Sequence, residues 1–91
     1  MRKMAKLSEL PNIGKVLEER LTEVGVDTPE KLRELGSRET LVRLRMRDPG
    51  ACIGELYALE GAICGVKDIE LPDEVKAELR AFHKSLGGNR T

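Results

Sequence analysis

The stretch Leu10-Pro11-Asn12-Ile13-Gly14-Lys15 decides how the chain begins to fold. Pro11 interrupts any helix before it, and Asn and Gly are the residues that best tolerate a positive φ. A strongly periodic helix follows, and its first backbone N–H groups have no partner within the helix. The stretch therefore predicts a tight turn that leads into a helix. Because those N–H groups stand beside Lys15, the turn is also a candidate site for an anion such as a phosphate.

Apolar residues recur at helical spacing from this turn onward, and glycines punctuate them. In the helix after the turn, Val16, Leu17, Leu21 and Val24 form one apolar stripe. Thr28 followed by Pro29 is a strong helix start. The pattern predicts a compact all-α bundle of about five helices, at roughly 15–24, 29–35, 38–47, 51–64 and from residue 73 onward.

The segment 51–64 is the least charged part of the chain, and we expect it to be the central helix. Its stripe includes Cys52, and Gly54 and Gly61 are expected to be points of close packing, since glycine is otherwise unfavourable in a helix. Glu60 interrupts the apolar surface and is expected to bind a neighbouring helix start or an arginine.

The chain of 91 residues is expected to form one domain over 1–91, with flexible ends at 1–6 and 87–91. Its net charge is zero, with 11 Lys/Arg against 8 Asp/Glu in residues 1–47 and 5 against 8 in 48–91. This mild asymmetry is not the basic footprint of a self-sufficient DNA-binding protein. Without a signal peptide or an apolar run that could span a membrane, the sequence predicts a soluble cytoplasmic protein.

Few residues are candidates for a disulfide, a metal site or catalysis. Cys52 and Cys64 are too far apart on one helix for a disulfide and lack zinc-site spacing, so we expect two free, buried thiols. His83 has no partner at ligand spacing and is expected on the surface. No nucleophile–base pair, carboxylate pair or Gly-rich nucleotide loop is visible. We therefore expect no enzymatic activity, no cofactor and no bound metal.

Three pieces of the sequence, at residues 10–14, 25–36 and 56–63, together resemble the C-terminal domain of the TfoX/Sxy family. The first two pieces are also widespread in helix-hairpin-helix modules, whereas the third is the most distinctive. The resemblance covers roughly residues 7–82. It implies a small helical domain related to helix-hairpin-helix and SAM-like folds, in a family of bacterial regulators of competence and transformation genes. Family members carry a further N-terminal domain, so we expect this chain to be the C-terminal domain standing alone.

The turn allows two interpretations. In the first, the turn formed by Asn12, Ile13, Gly14 and Lys15 holds a DNA phosphate weakly, through Lys15 and the backbone N–H groups near residues 14–16. The basic helix containing Arg43 and Arg47 extends the contact. In the second, the turn is only a connector whose Ile13 fills the core, and the arginines form a solvated face. The first predicts a regulatory module that binds the DNA backbone. The second predicts a protein–protein interaction adaptor that binds no nucleic acid.

Overall fold

The computed structural model describes residues 6–86 and contains four α-helices and two short 3₁₀ turns. Within this range there is no β-strand, and the predicted all-α class is confirmed. The flexibility expected of the two ends concerns residues 1–5 and 87–91, which lie outside the described range, and Lys6, which is extended and exposed. The helices are α1 (Lys15–Glu23), α2 (Pro29–Arg47), α3 (Ile53–Cys64) and α4 (Asp73–Ser85), with 3₁₀ turns at Leu7–Glu9 and Asp68–Glu70.

Helix α2 joins the two helices that the sequence predicts on either side of Gly36. It starts as expected: the Thr28 side chain accepts a hydrogen bond from the Lys31 backbone N–H at 3.1 Å, and Pro29 is the first helical residue. At Gly36 the backbone has φ 83° and ψ 163°, values that belong to no helix. Gly36 therefore interrupts α2 at the break that the sequence predicts, and a second helical segment begins at Ser37.

Leucines from every helix build the core. Their side chains are fully enclosed, and Val26 joins them from the loop after α1. Helix α3 packs against α2, α4 and the second 3₁₀ turn, which confirms its predicted central position. Burial of each leucine contributes about 1.5–3 kcal/mol. The enclosed leucines are Leu7, Leu21, Leu32, Leu41, Leu44, Leu56, Leu59 and Leu79.

Gly61 is the point of closest approach on α3. A Cβ at this position would lie 2.5 Å from Nδ2 of Asn12 and 2.7 Å from the carbonyl oxygen of Val66. Both distances are shorter than real contacts allow, so only glycine fits here without movement of the turn and the loop. The prediction for Gly61 is confirmed. It is wrong for Gly54, which is exposed and whose Cβ would make an ordinary 3.6 Å contact with the Cys52 sulfur.

The predicted burial of the two thiols is wrong, although both are free as expected. Cys52 caps the start of α3 and Cys64 is its last residue, so each lies where the helix leaves the core. Val16 is also misplaced by the pattern, since it is 70% exposed while Leu17 and Leu21 take the inward face of α1. His83 is half-buried and not fully on the surface.

Candidate nucleic-acid interface

The turn before α1 is held by the side chain of Asn12. Its Nδ2 donates to the carbonyl oxygens of Ala58 at 3.3 Å and Val66 at 3.0 Å, and its Oδ1 accepts from the Asp68 N–H at 3.1 Å. Asn12 is the one non-glycine residue with positive φ (71°) among residues 6–86. A single side chain thus ties the turn to the end of α3 and to the second 3₁₀ turn.

The four residues of the turn divide into an inward and an outward pair. Ile13 is 4% exposed and belongs to the core, as the connector interpretation expects. Gly14 and Lys15, by contrast, are exposed at the start of α1. The Asn12 and Ile13 side chains are therefore engaged inside the protein. What the turn presents outward is backbone and the Lys15 ammonium group.

A groove of about 490 Å³ lies beside this outward surface, and two helices begin at it. Gly14 caps α1 and Cys52 caps α3, and neither residue makes a side-chain hydrogen bond to its helix. The first N–H groups of both helices therefore lack the usual side-chain partner, and each helix start carries a partial positive charge. The groove is lined by Asn12, Gly14, Lys15, Val16, Leu17, Arg20, Cys52, Gly54, Glu55 and Ala58.

Arg20 is a groove residue that the sequence pattern assigns only to the wet side of α1. Its guanidinium donates to Glu55 Oε2 at 2.6 Å and to Asp48 Oδ2 at 2.9 Å. The hydrogen bond to Glu55 raises the pKa of Arg20, and the charges of Glu55 and Asp48 act in the same direction. Because two carboxylates neutralise it, Arg20 organises the groove wall more than it attracts an anion. Arg20 is 28 positions from Asp48 and 35 positions from Glu55 along the chain, so no local signal in the sequence predicts these pairs.

Arg43 and Arg47 do not lie at the turn. The Arg43 guanidinium lies beside Gly25, and Arg47 pairs with Glu23 at 3.8 Å, so both are near the end of α1. Lys15 is the first of the nine residues of α1, so it lies about 12 Å along the helix axis from the end near Arg43 and Arg47. Arg43 also pairs with Glu39 on its own helix at 3.6 Å. The structure therefore brings Gly14 and Lys15 together but leaves the two arginines at a separate position.

Glu60 has the kind of partner that the sequence predicts. The buried Ser37 hydroxyl donates to Glu60 Oε1 at 2.6 Å, directly after the kink in α2. The Cys64 thiol lies 3.8 Å from Glu60 Oε2. Partial desolvation of this otherwise exposed thiol, followed by the charge of Glu60 and this hydrogen bond, raises the pKa of Cys64. This cluster joins α2 to α3 and is structural in its geometry.

Two further observations limit the kind of site that residues 6–86 can form. They include no group of three or more His, Cys, Asp or Glu side chains that could hold a metal ion. None of the helices in this part of the chain is both long and apolar enough to cross a membrane.

Comparison with known proteins assigns this module to a family. The TfoX C-terminal domain family matches residues 3–83, and the chain belongs to that family. It is 37% identical over 81 residues to Protein Sxy of Escherichia coli K12. That match covers 89% of this chain but only 39% of Sxy, so the chain spans about two fifths of that relative.

Two crystal structures of Listeria monocytogenes proteins share the fold. The first, an uncharacterized protein in a triclinic form, is 48% identical with a TM-score of 0.91, covering 96% of this chain and 99% of that one. The second, a protein of unknown function in a tetragonal form, is 49% identical with a TM-score of 0.86, covering 89% and 99%. The fold is therefore shared over nearly the full length of both proteins.

Proposed function

We propose that this chain is a small, non-enzymatic regulatory module of the bacterial cytoplasm, related to regulators of competence and transformation genes, that contacts the DNA backbone weakly. Membership of the TfoX C-terminal domain family supports the regulatory role. One observation supports the DNA contact: α1 and α3 both begin, without side-chain caps, at the groove that Lys15 borders. Such helix starts favour a phosphate group.

The proposed contact is made by the backbone at Gly14 and Lys15 and by the Lys15 ammonium group. Asn12 and Ile13 contribute by holding the turn, as in a helix-hairpin-helix module. Arg43 and Arg47 would then reach a phosphate further along the duplex, since they lie near the other end of α1. Contacts of this kind position a protein without reading sequence. With a net charge of zero, we expect affinity in the non-specific range of about 10⁻⁴–10⁻⁶ M.

A fluorescence anisotropy titration of labelled duplex DNA at ~50 mM salt tests this function, because electrostatic binding is strongest at low salt. We expect the wild-type chain to bind and Lys15→Glu to bind at least several-fold more weakly. Lys31→Glu is the matched control, since Lys31 is exposed on α2 and does not line the groove. Absence of wild-type binding, or equal loss in both variants, would refute the proposal.

The second candidate is a protein–protein interaction adaptor without nucleic-acid binding. It is favoured by the pairing of Arg20, Arg43 and Arg47 with carboxylates and by the exposure of Val16 in the groove. This function predicts that a partner captured from a bacterial lysate is lost with Val16→Ser but kept with Met46→Ser, an equally exposed position. Capture that both variants retain would place the partner elsewhere and remove the support for a groove-binding adaptor.

A further inference from the structure

A second groove, of about 440 Å³, lies between the start of α3 and the end of α4. Ile53 and Ala81 give it an apolar floor, and Arg80, His83 and Lys84 supply a cationic rim. Its volume is sufficient for one aliphatic side chain. None of its lining residues belongs to the turn at Asn12 or lines the first groove.

The charges on the rim have no carboxylate partners. Arg20, Arg38, Arg43 and Arg47 each have a carboxylate within 4.0 Å, but within the described range neither Arg80 nor Lys84 does. Arg80 donates to the Tyr57 hydroxyl at 3.2 Å. The rim therefore carries two exposed positive charges that form no ion pair with the described residues.

His83 adds a polar atom to this groove that lacks a partner. Its Nε2 is shielded from solvent and makes no hydrogen bond to residues 6–86. A shielded polar atom without a hydrogen bond is unfavourable. A carboxylate placed at the rim would supply a counter-charge for Lys84.

The second 3₁₀ turn has the complementary character. Ile69 is 77% exposed and lies between Asp68 and Glu70, and the acidic first turn of α4 follows. The turn is held in place by the bond from the Asp68 N–H to Asn12 and by the bond from the Lys67 N–H to Glu70 Oε1. An exposed isoleucine is thus presented in a fixed conformation, flanked by more carboxylates than ammonium groups: Asp68, Glu70, Asp73 and Glu74 against Lys67 and Lys76, whose Nζ donates to the Ile69 carbonyl oxygen at 3.5 Å.

We propose that this acidic turn of one molecule docks into the cationic groove of a second copy of the chain. Ile69 would lie on the apolar floor at Ile53 and Ala81, and the neighbouring carboxylates would face the rim. The turn precedes α4 and the groove lies at its end, about 15 Å further along the axis between Asp73 and His83. One molecule therefore cannot fill its own groove.

A contact between two different surfaces is heterologous, so each dimer keeps one free turn and one free groove. Association then continues head to tail as the concentration rises. One isoleucine and a few ion pairs form a small interface, which predicts weak binding that salt weakens further. The contact does not involve Lys15, so it stands or falls independently of DNA binding.

Sedimentation analysis of the full chain tests this proposal. We expect the apparent mass to rise above the 10.1 kDa of one chain as the concentration approaches ~1 mM at low salt, a range typical of weak complexes. Ile69→Ser removes the docking side chain, and Ala81→Glu blocks the groove floor. Both positions are exposed, so we expect both variants to fold. Each variant alone is expected to stay monomeric.

Mixing the two variants gives the sharpest result. Ile69→Ser retains an intact groove and Ala81→Glu retains an intact turn, so the mixture is expected to form a one-to-one complex that stops at two chains. Met46→Ser, which removes another exposed apolar side chain, should associate like the wild type. A wild-type chain that stays monomeric, a mixture that does not associate, or equal loss with Met46→Ser would overturn the proposal.

Discussion

Replacement of Asn12 by alanine tests whether one side chain holds the turn to the rest of the fold. The change removes three hydrogen bonds, to Ala58, Val66 and Asp68, each with a net contribution of about 1 kcal/mol. It also places an alanine at φ 71°, which adds about 1 kcal/mol because Cβ crowds the backbone in the left-handed region. We therefore expect Asn12→Ala to lower the free energy of unfolding by about 4 kcal/mol.

Asn12→Gly separates these two contributions. Glycine adopts the positive φ without strain but forms none of the three bonds, so it should lower the stability by about 1 kcal/mol less than alanine. Urea unfolding followed by far-ultraviolet circular dichroism measures both variants, with unchanged m-values expected. If Asn12→Ala lowers the stability by less than about 1 kcal/mol, the three bonds do not hold the turn.

Other predictions concern helix packing, capping and thiol chemistry. Gly61→Ala should lower the unfolding free energy by about 1–3 kcal/mol, because its Cβ would meet the Val66 carbonyl oxygen at 2.7 Å. At the exposed Gly54, the same change to alanine should be neutral or slightly stabilising in the same urea assay. Thr28→Ala should lower it by about 1 kcal/mol through loss of the α2 cap, and no loss would contradict the role of that bond. In a Cys52→Ser background, alkylation of Cys64 by iodoacetamide should require a higher pH than alkylation of an ordinary thiol, because the pKa of Cys64 is raised. Glu60→Gln should speed the reaction at a given pH, since it removes the negative charge beside the thiol. An unchanged rate would contradict a contribution of this carboxylate to the raised pKa.

Much of the fold follows from local signals in the sequence. The Thr28-Pro29 start of α2 and the end of α3 at Gly65 each depend on a few adjacent residues, and the structure confirms both. The central position of α3 follows from its low charge. These features are predictable because capping, left-handed termination and apolar periodicity are properties of neighbouring residues.

The site was less predictable because its contacts join distant parts of the chain. The Asn12 side chain bonds to residues 46 to 56 positions away, and Arg20 bonds to Glu55 35 positions away. The pattern also places Val16 in the α1 stripe, because spacing alone does not show that Leu17, Leu21 and Val24 pack against the core while Val16 faces solvent. Similarly, the apolar character of α3 predicts burial of Cys52, whereas its place at the helix cap exposes it.

The turn that opens α1 combines two roles in one segment. Asn12 and Ile13 direct their side chains inward and hold the fold, which leaves Gly14 and Lys15 to present backbone N–H groups and one cation. A variant at Asn12 would therefore affect the proposed DNA contact through stability. A variant at Lys15 would affect it directly, because that side chain is exposed.

The salt dependence of DNA binding tests the proposed phosphate contact at Lys15 most directly. Each phosphate contact contributes about 0.9 to the slope of log K against log salt concentration. We predict that Lys15→Glu reduces the magnitude of that slope by about one, whereas Lys31→Glu leaves it unchanged. Equal slopes for the wild type and Lys15→Glu would contradict a phosphate contact at this turn.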